Sequence, residues 1–191
     1  MEEQHETYID KSAWSPGPWK DEPDRIEWRD EATGLPCLIV RNNGGALCGY
    51  VAVNPGHPLH GKKYSDPCDA LQALLEKRMG KPVGNNPGMG LMISMLSGDI
   101  GPRMDTVFEV HGGITYTDRC QAGGKICHVA QPGEPDDVWW IGFDCAHSGD
   151  VSPAYDSLLS MRLSGFGAYR SVNYVKSEIA SLAKQIAEVQ S

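Results

Sequence analysis

LPCLIVRNNGGALCGYVAV, residues 35–53, sets two apolar runs on either side of Asn-Asn-Gly-Gly. Asn-Gly supplies the positive backbone angles of a tight turn, so the pattern predicts two paired antiparallel strands turning at Asn43 and Gly44. Alternation in TVFEVHGGITYT and DVWWIGFDCA predicts two further strands. In the latter, Trp139, Ile141, Phe143 and Cys145 fall on one face and Val138, Trp140, Gly142 and Asp144 on the other. Near the C-terminus the period changes. Val172, Val175, Ile179, Leu182, Ile186 and Val189 recur at steps of three and four, which predicts a helix with one narrow apolar stripe packed on the sheet. The alternative use of that stripe is a helix pair between subunits, for which three heptads barely suffice.

SDPCDALQALLEKRMG predicts a short central helix, capped by Asp66, opened by Pro67 and closed by Gly80, with Cys68, Leu71, Leu75 and Met79 on its buried face. GKPVGNNPGMG predicts a loop, and LMISML fits a strand or a short helix equally. The expected class is therefore α+β: a mainly antiparallel sheet with a short central helix and a C-terminal amphipathic helix. Residues 1–24 are expected to form an extended arm, pinned by Trp14 and Trp19, and residues 25–191 a single domain.

Composition narrows the function classes. With 40% hydrophobic and 22% charged residues, the 191-residue chain can bury an ordinary core. A net charge of -8 disfavours broad contact with polymeric nucleic acid, which needs clustered Lys and Arg. No stretch is apolar enough to span a bilayer, and MEEQHETYIDKSAW lacks the apolar core of a signal peptide, so no membrane partner and a cytosolic setting are expected. In that setting the six cysteines are expected to be free thiols.

Candidate chemistry gathers where strands end. Glu109 and His111 share one strand face, and Gly112-Gly113 then permits a bulge or a close backbone approach. If the two strands are neighbours, His111 and Asp144 meet, the carboxylate fixing the tautomer of the imidazole. Asp144, His147 and Asp150 follow at steps of three in a turn, while His57 and His60 in GHPLHG occupy a similar post-strand loop. Converging at one rim, His57, His111, Asp144, His147 and Asp150 would suffice for a divalent metal ion. Gly142 leaves a gap between Trp140 and Asp144 that a flat ligand can enter, or it serves only to let a helix pack closely. A ligand there would use Trp140 for stacking, His57, His60, His111, Thr115 and Asp144 for hydrogen bonds, and Arg41 or Arg119 for an anion.

Two minority arrangements also fit the residue types. Cys120, Cys127, His128, Cys145 and His147 could hold zinc, though without a standard spacing. Cys145 with His111 or His147 could form a thiolate and its base, though its strand face is the apolar one. The Gly-Gly pairs match neither a P-loop nor a dinucleotide fingerprint.

GHPLHG, VHGGITYTDRC, ICHV shortly before PDDVWWIGFDCAHSGD, and YRSVNYVKSEIASLAKQIAEV together resemble a group of small uncharacterised proteins encoded by tailed bacteriophages and prophages. The resemblance covers most of residues 35–189. It implies an accessory protein working in the cytoplasm of the infected bacterial host. Combined with the aromatic and polar residues above, it implies sequestration of a small host ligand, a cyclic-nucleotide defence signal above all. The alternatives are a metal-assisted phosphodiesterase with His111, Asp144 and His147 as catalytic groups, and a virion or host-protein interaction module using the C-terminal helix, which could also form a homo-oligomer.

Overall fold

A computed structural model describes residues 3–79, 101–120, 124–128, 133, 136–155 and 167–189. The loop and the LMISML segment predicted within 80–100 lie outside them. Six strands form one antiparallel sheet: β1 (Gln4–Glu6), β2 (Arg25–Arg29), β3 (Pro36–Arg41), β4 (Leu47–Val53), β5 (Tyr116–Arg119) and β6 (Trp139–Asp144), in the order β1-β2-β3-β4-β6-β5. The α+β class is as the sequence pattern predicts. So is the β3–β4 hairpin, whose register pairs Cys37 with Val51 and Arg41 with Leu47. Its turn is wider than two residues: Asn42 N–H donates to Ala46 O, and Asn42 Oδ1 accepts from Ala46 N–H.

Three α-helices lie among the described residues: α1 (Gln72–Met79), α2 (Met104–Val107) and α3 (Val172–Ala187). Ser171 caps α3 by accepting from Tyr174 N–H, and the helix buries Val175, Ile179, Leu182 and Ile186 completely against the sheet. The predicted stripe is thus consumed by sheet packing. Before α1, a 3-10 turn at Asp69–Leu71 begins after Cys68, and Asp66 instead closes a turn by accepting from Lys63 N–H. Cys68 and Leu71 are buried as predicted, Leu74 of α1 is buried where the pattern placed the half-buried Leu75, and Gly80 and the Met79 side chain lie outside the described residues.

TVFEVHGGITYT departs from the strand prediction. Its first part completes α2, where Met104 and Val107, three apart, are both buried and Thr106 hydroxyl donates to Arg103 O. Gly112 and Gly113 then turn the chain, and only Tyr116–Arg119 joins the sheet. Alternation of five residues could not separate a strand from a helical turn with i, i+3 burial.

The N-terminal arm is tied more firmly than its composition implies, because β1 extends the sheet and a buried ion network holds the segment between β1 and β2. Asp24 Oδ1 lies 2.7 Å from Lys11 Nζ and 3.0 Å from Arg41 Nε, while Asp24 Oδ2 accepts from Tyr8 and Ile9 N–H. Arg41 also donates to Gly45 O, Tyr169 hydroxyl and Glu22. Glu22 in turn accepts from Val172 N–H at the start of α3. Trp19 is buried edge-on against Tyr169. No helix of the described residues is long and apolar enough to cross a membrane.

Candidate functional site

At the end of β6 the chain turns through Cys145–Asp150 and brings three predicted residues together with a fourth from the turn before β5. His111 Nε2 is 2.8 Å from Asp150 Oδ2, and His111 Nδ1 is 3.0 Å from the Tyr174 hydroxyl on α3. Glu178, one turn further along α3, accepts from His111 N–H. Asp150 Oδ1 accepts from Arg170 Nε at 2.8 Å, because residues 149–151 and 168 are bridged in parallel. The His147 ring lies on the backbone of Gly112, where a Cβ would come within 2.0 Å of His147 Cε1. Gly112 is therefore required by its positive φ of 66° and by the ring above it.

Asp150 is almost wholly buried, and burial alone would raise its pKa; hydrogen bonds from Arg170, His111 and His147 N–H outweigh that and hold its carboxyl below the usual range. An ionised Asp150 can only accept, so His111 Nε2–H donates to it, while Nδ1 pairs with the Tyr174 hydroxyl. His147 Nδ1 differs from these groups. It is screened from solvent without a hydrogen-bond partner among the described residues, 3.8 Å from Asp150 Oδ2 and 3.9 Å from Asp144 Oδ1. Those separations are too long for hydrogen bonds. The donor atoms of His111, His147 and Asp150 all lie within 4.8 Å of one another.

No known family model, curated protein or solved structure matches this chain. The site's chemistry must therefore be read from its own geometry.

His111 and Asp144 do not meet as the sequence pairing proposes. Asp144 instead accepts from the Thr115 hydroxyl at 2.9 Å and from Ala146 N–H, and reaches the cluster only through His147. His57 and His60 stay apart, because they follow β4 at the end that pairs Val53 with Trp139. The length of β6, about 17 Å at about 3.4 Å per residue, separates that end from Asp144. His60 Nε2–H donates to Asp137 O. Half-burial lowers the pKa of His57, partly offset by its hydrogen bond to the Ile186 backbone, and Nδ1 accepts from Leu59 N–H. Arg119 is exposed at the same distant end.

Trp140 and Arg41 are excluded as contacts for a ligand at the rim. Trp140 is completely buried in the sheet's second apolar layer with Leu38, Val40 and Ala52, and the guanidinium of Arg41 is committed to the ion network. The predicted gap over Gly142 is filled by Tyr50, whose Cδ1 would lie 2.2 Å from a Cβ there. The glycine serves close packing, by a tyrosine rather than a helix.

The cysteines also depart from expectation. Cys120 and Cys127 form a disulfide, which the absence of any short paired spacing did not suggest, and this removes the proposed zinc set. Among the described residues Cys37, Cys48, Cys68 and Cys145 are free and buried. Burial pushes the Cys145 thiol well up, so the thiolate reading fails.

Sequence reasoning missed Tyr174, Glu178 and Arg170. Their signal was present: 170, 174 and 178 recur at steps of four, a polar row alongside the apolar stripe.

Proposed function

We propose that the rim formed by His111, His147 and Asp150 binds a divalent transition-metal ion and that the protein is a metal-assisted hydrolase of a small anionic ester. The observation that carries this reading is His147 Nδ1, a buried donor atom with no partner among the described residues, facing two carboxylates beside a second imidazole. His111 Nε2 and Asp150 Oδ2, 2.8 Å apart and hydrogen-bonded without an ion, would need to separate only slightly to sit side by side on one with bonds of about 2.0–2.2 Å. With an ion in place of the Nε2 proton, His111 Nε2 would be the ligand and Nδ1–H would donate to the Tyr174 hydroxyl, the outer hydrogen bond that fixes a ligating imidazole. Imidazole and carboxylate together suit zinc, manganese or cobalt.

The ion would polarise a water and an ester oxygen. Asp144, one-third exposed and oriented by Thr115 and Ala146, is placed as proton acceptor or further ligand. Arg170, anchored through Nε and lying 4.9 Å over the Tyr174 ring, keeps a part-exposed guanidinium beside the rim, and a guanidinium recognises a phosphoryl or carboxylate group by paired hydrogen bonds. The resemblance to phage proteins supports a host metabolite or signalling nucleotide as substrate and the host cytoplasm as setting, against which the Cys120–Cys127 disulfide counts, since reducing compartments seldom keep one. Sequestration loses support at this rim, because Trp140, its stacking residue, and Arg41, one of its two candidate charge residues, are committed inside the fold, and Arg119, the other, lies at the far end of β6.

Manganese-loaded protein incubated with bis(p-nitrophenyl) phosphate, and separately with 3′,5′-cyclic AMP, tests the reading. The expected result is release of p-nitrophenolate, abolished by EDTA and by His147→Ala. Recovery of both compounds intact, with bound cyclic nucleotide returned unchanged on denaturation, would favour sequestration instead.

A further inference from the structure

The opposite face of the sheet carries a cavity of about 300 Å³ that none of the rim residues lines. Its walls include Val40, Cys48, Tyr50, Tyr116 and Ile126, with Asn43 and Lys125 also on its border. That volume falls at the small end of ligand sites, which combine apolar and aromatic walls with a few placed polar groups. Tyr50 and Tyr116 meet edge to face at 5.3 Å and 85°. Burial pushes the Cys48 thiol up to about 11, so it stays neutral there.

The outer wall is built in advance. Gly124, Lys125 and Ile126 lie within the loop closed by the Cys120–Cys127 disulfide. Arg25 clamps that loop by donating to Lys125 O at 3.3 Å and Cys127 O at 2.6 Å, and Glu6 and Glu27 fix Arg25 in turn. Beside the same loop, a second cavity shares Gly124 and Lys125 and is bordered by His128. His128 is only 8% exposed, and its Nδ1 has no hydrogen-bond partner among the described residues. A buried polar atom left unpaired is costly, and a ligand atom is one way to satisfy it.

We propose that these neighbouring cavities, which share Gly124 and Lys125, bind a planar heteroaromatic ring of nucleobase size, held against Tyr50, Tyr116 and Ile126, with polar edge contacts from Asn43 and His128 and with Lys125 near an anionic substituent. The inference deepens the hydrolase reading by naming what the substrate carries. Asp144 links the two sites only by position, paired in register with Cys48 of the cavity wall and 3.9 Å from His147 Nδ1. Ring binding itself needs no metal, so the two readings can fail separately.

Titrating metal-free protein in EDTA with adenosine, guanosine, cytidine and uridine 5′-monophosphates tests it. At least one is expected to bind with Kd below about 1 mM. Tyr116→Ala should weaken that binding about tenfold or more, as loss of an aromatic contact to a base does. Ile126→Trp, which fills the cavity from an external loop, should abolish it, and circular dichroism checks that both variants fold. Absence of binding by all four up to about 10 mM, or binding that folded Tyr116→Ala and Ile126→Trp leave unchanged, overturns the proposal. If metal titration of the same protein then succeeds, the rim reading survives alone; the reverse pattern leaves the ring site alone.

Discussion

Asp24→Ala is expected to lower folding stability by about 3–5 kcal/mol, the usual cost of breaking a buried ion pair from one side. The variant strands Arg41 and Lys11, both buried, and frees the backbone N–H groups of Tyr8 and Ile9. Burial alone would raise the Asp24 pKa, but Lys11 and the two N–H groups win and hold it below the ordinary value. Its stabilisation is therefore fully present above the unfolded pKa of about 3.9 and is lost as pH falls through the lower folded value. Urea unfolding at pH 7 and along an acid series checks both. A loss below about 1 kcal/mol would mean that the network is solvated and that the arm is held by other contacts.

Phe143→Ala is expected to cost about 3–5 kcal/mol by leaving a cavity in the core. The ring lies over Gly49, where a Cβ would come 2.6 Å from Phe143 Cζ and 2.9 Å from Ile179 Cγ1, so β4, β6 and α3 all contribute to its seat. His147→Ala, by contrast, removes a one-third exposed side chain without hydrogen bonds from its ring nitrogen Nδ1, and should change stability little. Parallel denaturant melts compare the two. Equal losses would place His147 among the structural residues.

Periodic features of this fold were legible in the sequence because burial repeats with the period of the element. The hairpin, β6 with its two faces, and α3 with its stripe obey that logic. Contacts set by tertiary closure were not. Arg41 reads as an available cation until Glu22, Asp24 and Tyr169, distant in sequence, are seen to surround it. Trp140 reads as a stacking platform until the second apolar layer covers it. The turn after β6 correctly marked His147 and Asp150, yet the partner assigned to His111 was the wrong carboxylate: alternation placed Asp144 on a face, whereas the Asp150–Ala168 bridge decided which acid reached the imidazole.

Calorimetric titration of the purified protein with Zn²⁺ at neutral and mildly acidic pH, beside His147→Ala, decides whether the rim holds a metal ion. One ion per chain is expected, with weaker binding in acid because the imidazoles must give up protons, and with a loss of affinity on the order of 100-fold in the variant. No saturable binding, or an affinity that His147→Ala leaves unchanged, would contradict a metal site at this rim.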